Sequence, residues 1–157
     1  MRLNTYGADP AGYERLLAWN EHLASGPLDA GLRAIVEARA SQINGCAFCL
    51  AMHVDEARTA GVDQMKLDAL AAWREVIAFD PQERAALALT EAMTRIADGG
   101  RVDDATWAEA REHFDDVSLA HLVELIALIN AFNRLNVATE RTAEDYLAYV
   151  KRRPSPR

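Results

Sequence analysis

The sequence predicts an all-α fold, and three observations carry that prediction. Apolar residues return at three- and four-residue intervals along most of the chain, the period of a helix face. Alanine is abundant, while glycine and proline number only 8 and 5 in 157 residues, a balance that favours helix. No segment shows the strict alternation of a strand. With 50% of its residues hydrophobic, the chain can close a core of its own. The expectation is a single-domain bundle of about eight helices over residues 1–150, followed by a basic, frayed tail at 151–157.

Taken in order, residues 1–9 read as extended or irregular. Pro10 and Ala11 open a first helix that runs to about Leu23, with Tyr13, Leu16, Leu17 and Trp19 in apolar register, and Ser25-Gly26-Pro27 breaks it. A second helix spans about Leu28 to Ile43 on Leu32, Ile35 and Val36. Asn44-Gly45 is a turn signal, and a third helix follows from about Cys46 to Ala60, with Gly61 as its C′ residue. Asp63 caps a short helix carrying Met65, Leu67, Leu70 and Trp73. Asp80, Pro81 and Glu83 stand at N-cap, N1 and N3, a capping-box pattern opening a helix to Ile96, which Asp98-Gly99-Gly100 ends. Asp103 or Asp104 caps the next, through His113. Val117-Ser118 opens the most apolar helix, Leu119 to about Leu135, which is apolar on more than one side and therefore central or buried in a subunit interface. A last helix covers Thr142 to Val150.

A net charge of -7 argues against nucleic acid or an anionic membrane as partner. No unbroken apolar run approaches the roughly 20 residues of a membrane span, and the first ten residues lack an apolar signal core. The expected compartment is the cytoplasm. There, two cysteines are catalytic or metal-binding sooner than a structural staple.

Both cysteines fall in one stretch, as Cys46-x-x-Cys49, with His53 four residues on. On a helix, residues three and four apart share a side, so Cys46, Cys49 and His53 form one stripe. A dithiol at a helix start meets partial positive charge, which favours thiolate. An imidazole one turn further can take the thiol proton. Position favours Cys46 as the attacking sulfur; proximity to the base favours Cys49. Two alternatives compete: an inert buried pair, and a zinc site of Cys46, Cys49 and His53 completed by His22, His113, His121 or a carboxylate.

The run Ser41-Gln42-Ile43-Asn44-Gly45-Cys46-x-x-Cys49-x-x-x-His53 resembles the signature of the carboxymuconolactone decarboxylase/AhpD-like superfamily, and within it the C-x-x-C alkylhydroperoxidase branch. The motif covers about residues 32 to 61. The resemblance implies an AhpD-like helical bundle and a thiol peroxidase that reduces hydroperoxides, without metal or cofactor. It implies Cys49 as the peroxidatic thiol, Cys46 as the resolving one, and His53 as acid/base. It implies a dithiol electron donor, thioredoxin-like or a lipoyl protein, and assembly into trimers or hexamers. The AhpD pattern also carries a glutamate near the position of Ala34 and a histidine where Phe48 stands. Glu37, one turn along from Ala34, is the candidate to complete a proton relay. Glu124, in the apolar late helix, is a second carboxylate that could reach the site, with Arg134 or Arg39 as its partner. The competing functions are a dithiol–disulfide oxidoreductase or relay without efficient peroxidase activity, a redox sensor, and the lactone decarboxylase branch, which the resemblance implies lacks the cysteine pair.

Overall fold

Helix starts in this chain are written in short polar side chains. The structure, a computed structural model, describes residues 1–152. It contains α1 (Thr5–Ala8), α2 (Pro10–Ala24), α3 (Ala30–Asn44), α4 (Ala47–Thr59), α5 (Gln64–Asp68), α6 (Pro81–Thr94), α7 (Asp104–His113), α8 (Asp116–Ala138) and α9 (Ala143–Arg152), with 3-10 segments at Leu70–Glu75 and Arg95–Asp98 and no strand among the described residues. Asp9, Asp29, Asp63, Asp80, Asp103 and Asp115 each accept a backbone N–H of the first turn that follows. Each such cap is worth about 1 kcal/mol. The capping box of Asp80 and Glu83 is complete, at 2.8 and 2.9 Å.

The all-α expectation holds, and the differences from it are local. Residues 1–9 are not simply extended: Asn4 accepts from the Gly7 N–H at 3.0 Å and caps the start of α1, and the Arg2 N–H reaches the Thr139 carbonyl at 2.6 Å. The expected helix from Asp63 splits at Ala69 (φ -104°, ψ 10°) into α5 and a 3-10 segment that is itself kinked at Ala72. Helix α8 begins three residues before Leu119, because Asp115 rather than Ser118 supplies the cap. Lys151 and Arg152 continue α9, and the rest of the expected tail, 153–157, lies outside the described residues.

Helix α8 is the axis of the bundle. It packs on α2, α3, α4, α6 and α7, and its Leu122, Leu125, Ile126, Leu128 and Ile129 are buried. By length and apolar composition α8 reaches the measure of a membrane span, which the broken apolar run did not suggest. Here that apolarity is spent on the core. Helices α3 and α4 form the other main pair, joined at Gly45. Its φ of 69° lies in the left-handed region, where a Cβ is strained. A smaller buried cluster (Ala40, Cys46, Phe48, Cys49, Ile129 and Tyr146) sits beside the main core, so the two sulfurs lie at the edge of the apolar interior.

Candidate active site

The turn that presents the cysteines is held from three sides. The Cys46 N–H returns to the Ser41 carbonyl at 3.0 Å, finishing α3. The Asn44 amide donates to Asn130 and Asn133 on α8 at 2.9 and 2.8 Å, and Asn133 donates to the Ser41 hydroxyl at 3.0 Å. The motif residues Ser41 and Asn44 thus bolt the turn to α8, which fixes where α4 begins.

Cys46 is the N-cap of α4, and its sulfur accepts the Cys49 N–H at 3.4 Å. The two cysteines are joined in a disulfide, with Cα atoms 5.4 Å apart, and both are buried. The structure therefore describes the oxidised pair. The two sulfurs differ in surroundings. Asn136 of α8, itself buried, donates from Nδ2 to the Cys49 Sγ at 3.2 Å. A cavity of about 850 Å³ reaches Cys49, His53 and Glu37, whereas Cys46 is not part of its wall.

His53 is buried one turn after Cys49. Its Nδ1 lies 2.7 Å from Glu56 Oε2 and 3.3 Å from Glu37 Oε2, while Nε2 is buried without a partner. With Nδ1 facing two carboxylates, Nε2 is the ring nitrogen left without a partner. Burial pushes the Glu37 carboxyl up from its ordinary 4.5; His53 opposes this, Glu56 adds to it and Arg33 opposes it. Burial works against the His53 imidazolium, but the charge of Glu37 and then the hydrogen bond and charge of Glu56 raise it above its ordinary 6.5. Both groups therefore hold a proton more tightly than they would in water, Glu37 through burial and His53 through the facing carboxylates.

Of the predicted stripe, Cys46 and Cys49 are joined, while His53 and, from α3, Glu37 share the cavity wall with Cys49 without a hydrogen bond from His53 to either sulfur. The other expected contacts are not made. Glu124 accepts from the Trp19 indole at 2.9 Å instead of reaching the cysteines. Arg39 is taken by Glu91, and Arg134 donates to Asn130. The groups that could hold a metal ion here are Glu37, His53 and Glu56, with ligand atoms within 4.8 Å of one another. Two site residues escaped the sequence reading. Glu56 carried a usable signal, its i,i+3 spacing from His53. Asn136, 87 residues from Cys49, carried none.

The sequence profile of the carboxymuconolactone decarboxylase family matches residues 10–92. YdfG of Bacillus subtilis (strain 168) is 34% identical over 137 residues, 87% of this chain and 92% of that one. YnjA of Escherichia coli (strain K12) is 38% identical over 131 residues, 82% of this chain and 69% of that one. Both relatives are uncharacterized. A crystal structure from Agrobacterium tumefaciens, of a protein of unknown function described as a candidate antioxidant defence protein AhpD, matches with a TM-score of 0.84 at 33% identity, over 90% of this chain and 96% of that one. The bundle is AhpD-like, as the motif implied.

Proposed function

The chain belongs to the carboxymuconolactone decarboxylase family, and from that premise we propose that it is a thiol-dependent peroxidase. In this reading one AhpD-like domain reduces hydroperoxides through a Cys46–Cys49 dithiol/disulfide cycle assisted by His53 and Glu37. The observation that carries the reading is the asymmetry of the two sulfurs: Cys49 meets the cavity, His53 and the Asn136 amide, and Cys46 caps the helix behind it.

The steps follow from that arrangement. In the reduced protein the helix start and the Asn136 N–H favour a Cys49 thiolate. The thiolate attacks the terminal oxygen of ROOH; an S–O bond forms, the O–O bond breaks, and RO⁻ leaves. His53 delivers the proton that turns RO⁻ into ROH, and Glu37 and Glu56 hold the imidazole ready to do so. Cys49 is now a sulfenic acid. The Cys46 thiol displaces its oxygen as water, forming the disulfide. A dithiol donor then reduces the disulfide by exchange and is itself oxidised. With both sulfurs buried, a slender dithiol such as a lipoyl arm suits the cavity better than a broad thioredoxin-like face. The setting is a reducing compartment such as the cytoplasm. Leu147 and Val150, exposed on α9, offer apolar surface for the trimer or hexamer of this reading.

The test is a free-thiol count on reduced protein before and after one equivalent of cumene hydroperoxide, with Cys49→Ser alongside. Rapid loss of both thiols in the wild type, and no peroxide consumption by the variant, is expected. Loss no faster than for a small free thiol would remove the peroxidase reading and leave dithiol–disulfide exchange.

A further inference from the structure

The cavity is far larger than hydrogen peroxide needs. Its volume of about 850 Å³ lies in the range of sites that enclose whole organic ligands. Tyr6, Tyr13, Leu17, Phe48, Met52 and Phe132 give it an apolar and aromatic wall. Tyr13 links two of its elements, with ring centroids 5.6 Å from Tyr6 and 5.9 Å from Phe132.

Set into that wall is Arg33, whose charge acts on Glu37 but whose side chain has no hydrogen bond among the described residues. Arg33 lies on α3 four residues before Glu37, a spacing at which arginine and glutamate ordinarily pair. They form no contact ion pair here, because Glu37 is turned to His53, and Arg33 acts on Glu37 through its charge alone. Asp29, four residues to the other side, has its Oδ1 on the N–H groups of Gly31 and Leu32. Among the described residues Arg33 makes no side-chain hydrogen bond or ion pair, and its Nε is buried and unsatisfied. A buried donor left open in a cavity wall is where a ligand acceptor belongs. The second cation of the wall, Arg141, is already stacked on the Phe48 ring at 3.7 Å.

We propose that this cavity takes an organic hydroperoxide bearing a carboxylate, and that Arg33 binds the carboxylate. The planar guanidinium matches a carboxylate through two parallel hydrogen bonds. A singly charged head suits the site better than a doubly charged phosphate, because Glu37 and Glu56 line the same cavity. Four residues of α3 separate Arg33 from Glu37, a rise of roughly 6 Å. The acid group and the O–O bond of the substrate are therefore set at different parts of the wall, at Arg33 on α3 and at Cys49 on α4.

This inference rests on the peroxidase reading for its chemistry but not for its binding step, and the test separates the two. The probes are the 13-hydroperoxide of linoleic acid, the corresponding hydroxy acid, and the methyl ester of each. Calorimetric titration of oxidised protein with the hydroxy acid and its ester measures binding without turnover. Wild type is expected to bind the acid about tenfold to a hundredfold tighter than the ester. Arg33→Gln should bring that ratio near one, and Arg33→Lys should restore part of it. The ratio of kcat/KM for the two hydroperoxides should move in step. Equal binding of acid and ester by wild type, binding of neither, or an unchanged ratio in folded Arg33→Gln would each overturn the proposal. Discrimination in binding without consumption of any hydroperoxide would keep the Arg33 site and overturn the peroxidase reading.

Discussion

Helix α3 holds two buried charged clusters on nearly opposite sides, and they are built to different ends. Glu37 and Arg39 are two residues apart, about 200° around the helix. On the Arg39 side every group is answered. Arg39 donates to Glu91 at 2.8 Å and to Gln42 at 2.9 Å, and Glu91 also accepts from the Trp73 indole at 3.0 Å and from Arg74 at 2.6 Å. On the Glu37 side the accounts stay open. His53 keeps an unpartnered Nε2, Arg33 an unpartnered Nε, and a cavity lies against both. A fully satisfied buried network fixes a geometry. One with open donors and a shared proton is placed to act on something that enters. The two clusters thus differ not in burial of charge but in unmatched atoms beside a cavity.

The contrast can be broken from either side, and the largest effect is expected at His53. His53→Gln should lower the rate of hydroperoxide reduction by about 10²- to 10⁴-fold, read by stopped-flow loss of free thiols, with little change in the folded structure. A rate within twofold of wild type would mean the open cluster is not catalytic. Glu91→Ala should do the reverse. It strands the buried Arg39 guanidinium and should cost about 3–5 kcal/mol of stability, measured by urea denaturation, while thiol reactivity at a temperature where the variant is folded stays near wild type.

The two clusters should also answer pH in opposite senses. The Glu91 carboxyl is held below its ordinary 4.5 by Arg74, Trp73 and Arg39, against the burial that would raise it. Its folded-state pKa is therefore depressed. The stability it contributes is present above pH 4.5 and is lost as pH falls through the folded value. His53 is raised above 6.5, so its contribution is full below that pH and is lost as pH rises through the folded value. The stability difference between wild type and Glu91→Gln should therefore shrink in acid. That between wild type and His53→Gln should shrink in alkali. Parallel pH curves for the two variants would contradict the assignment of opposite roles.

What the sequence determined by itself is what depends on near neighbours. The helices, their aspartate caps and the capping box at Asp80 follow from residues within one turn of each other. The stripe of Cys46, Cys49 and His53 follows from helical spacing, and so would its carboxylate Glu56. What only the tertiary structure decided depends on which helices meet. Nothing within α3 says that residue 37 will face His53 while residue 39 faces Glu91, 52 positions away, or that Glu124 will serve Trp19 instead. Nor does local sequence bring Asn136 to the Cys49 sulfur, or fold residues 1–8 back so that Met1 and Tyr6 complete the cavity. Periodicity fixes which residues share a helix face, but the partner of that face is chosen by packing of the whole core around α8, a choice made by many contacts at once.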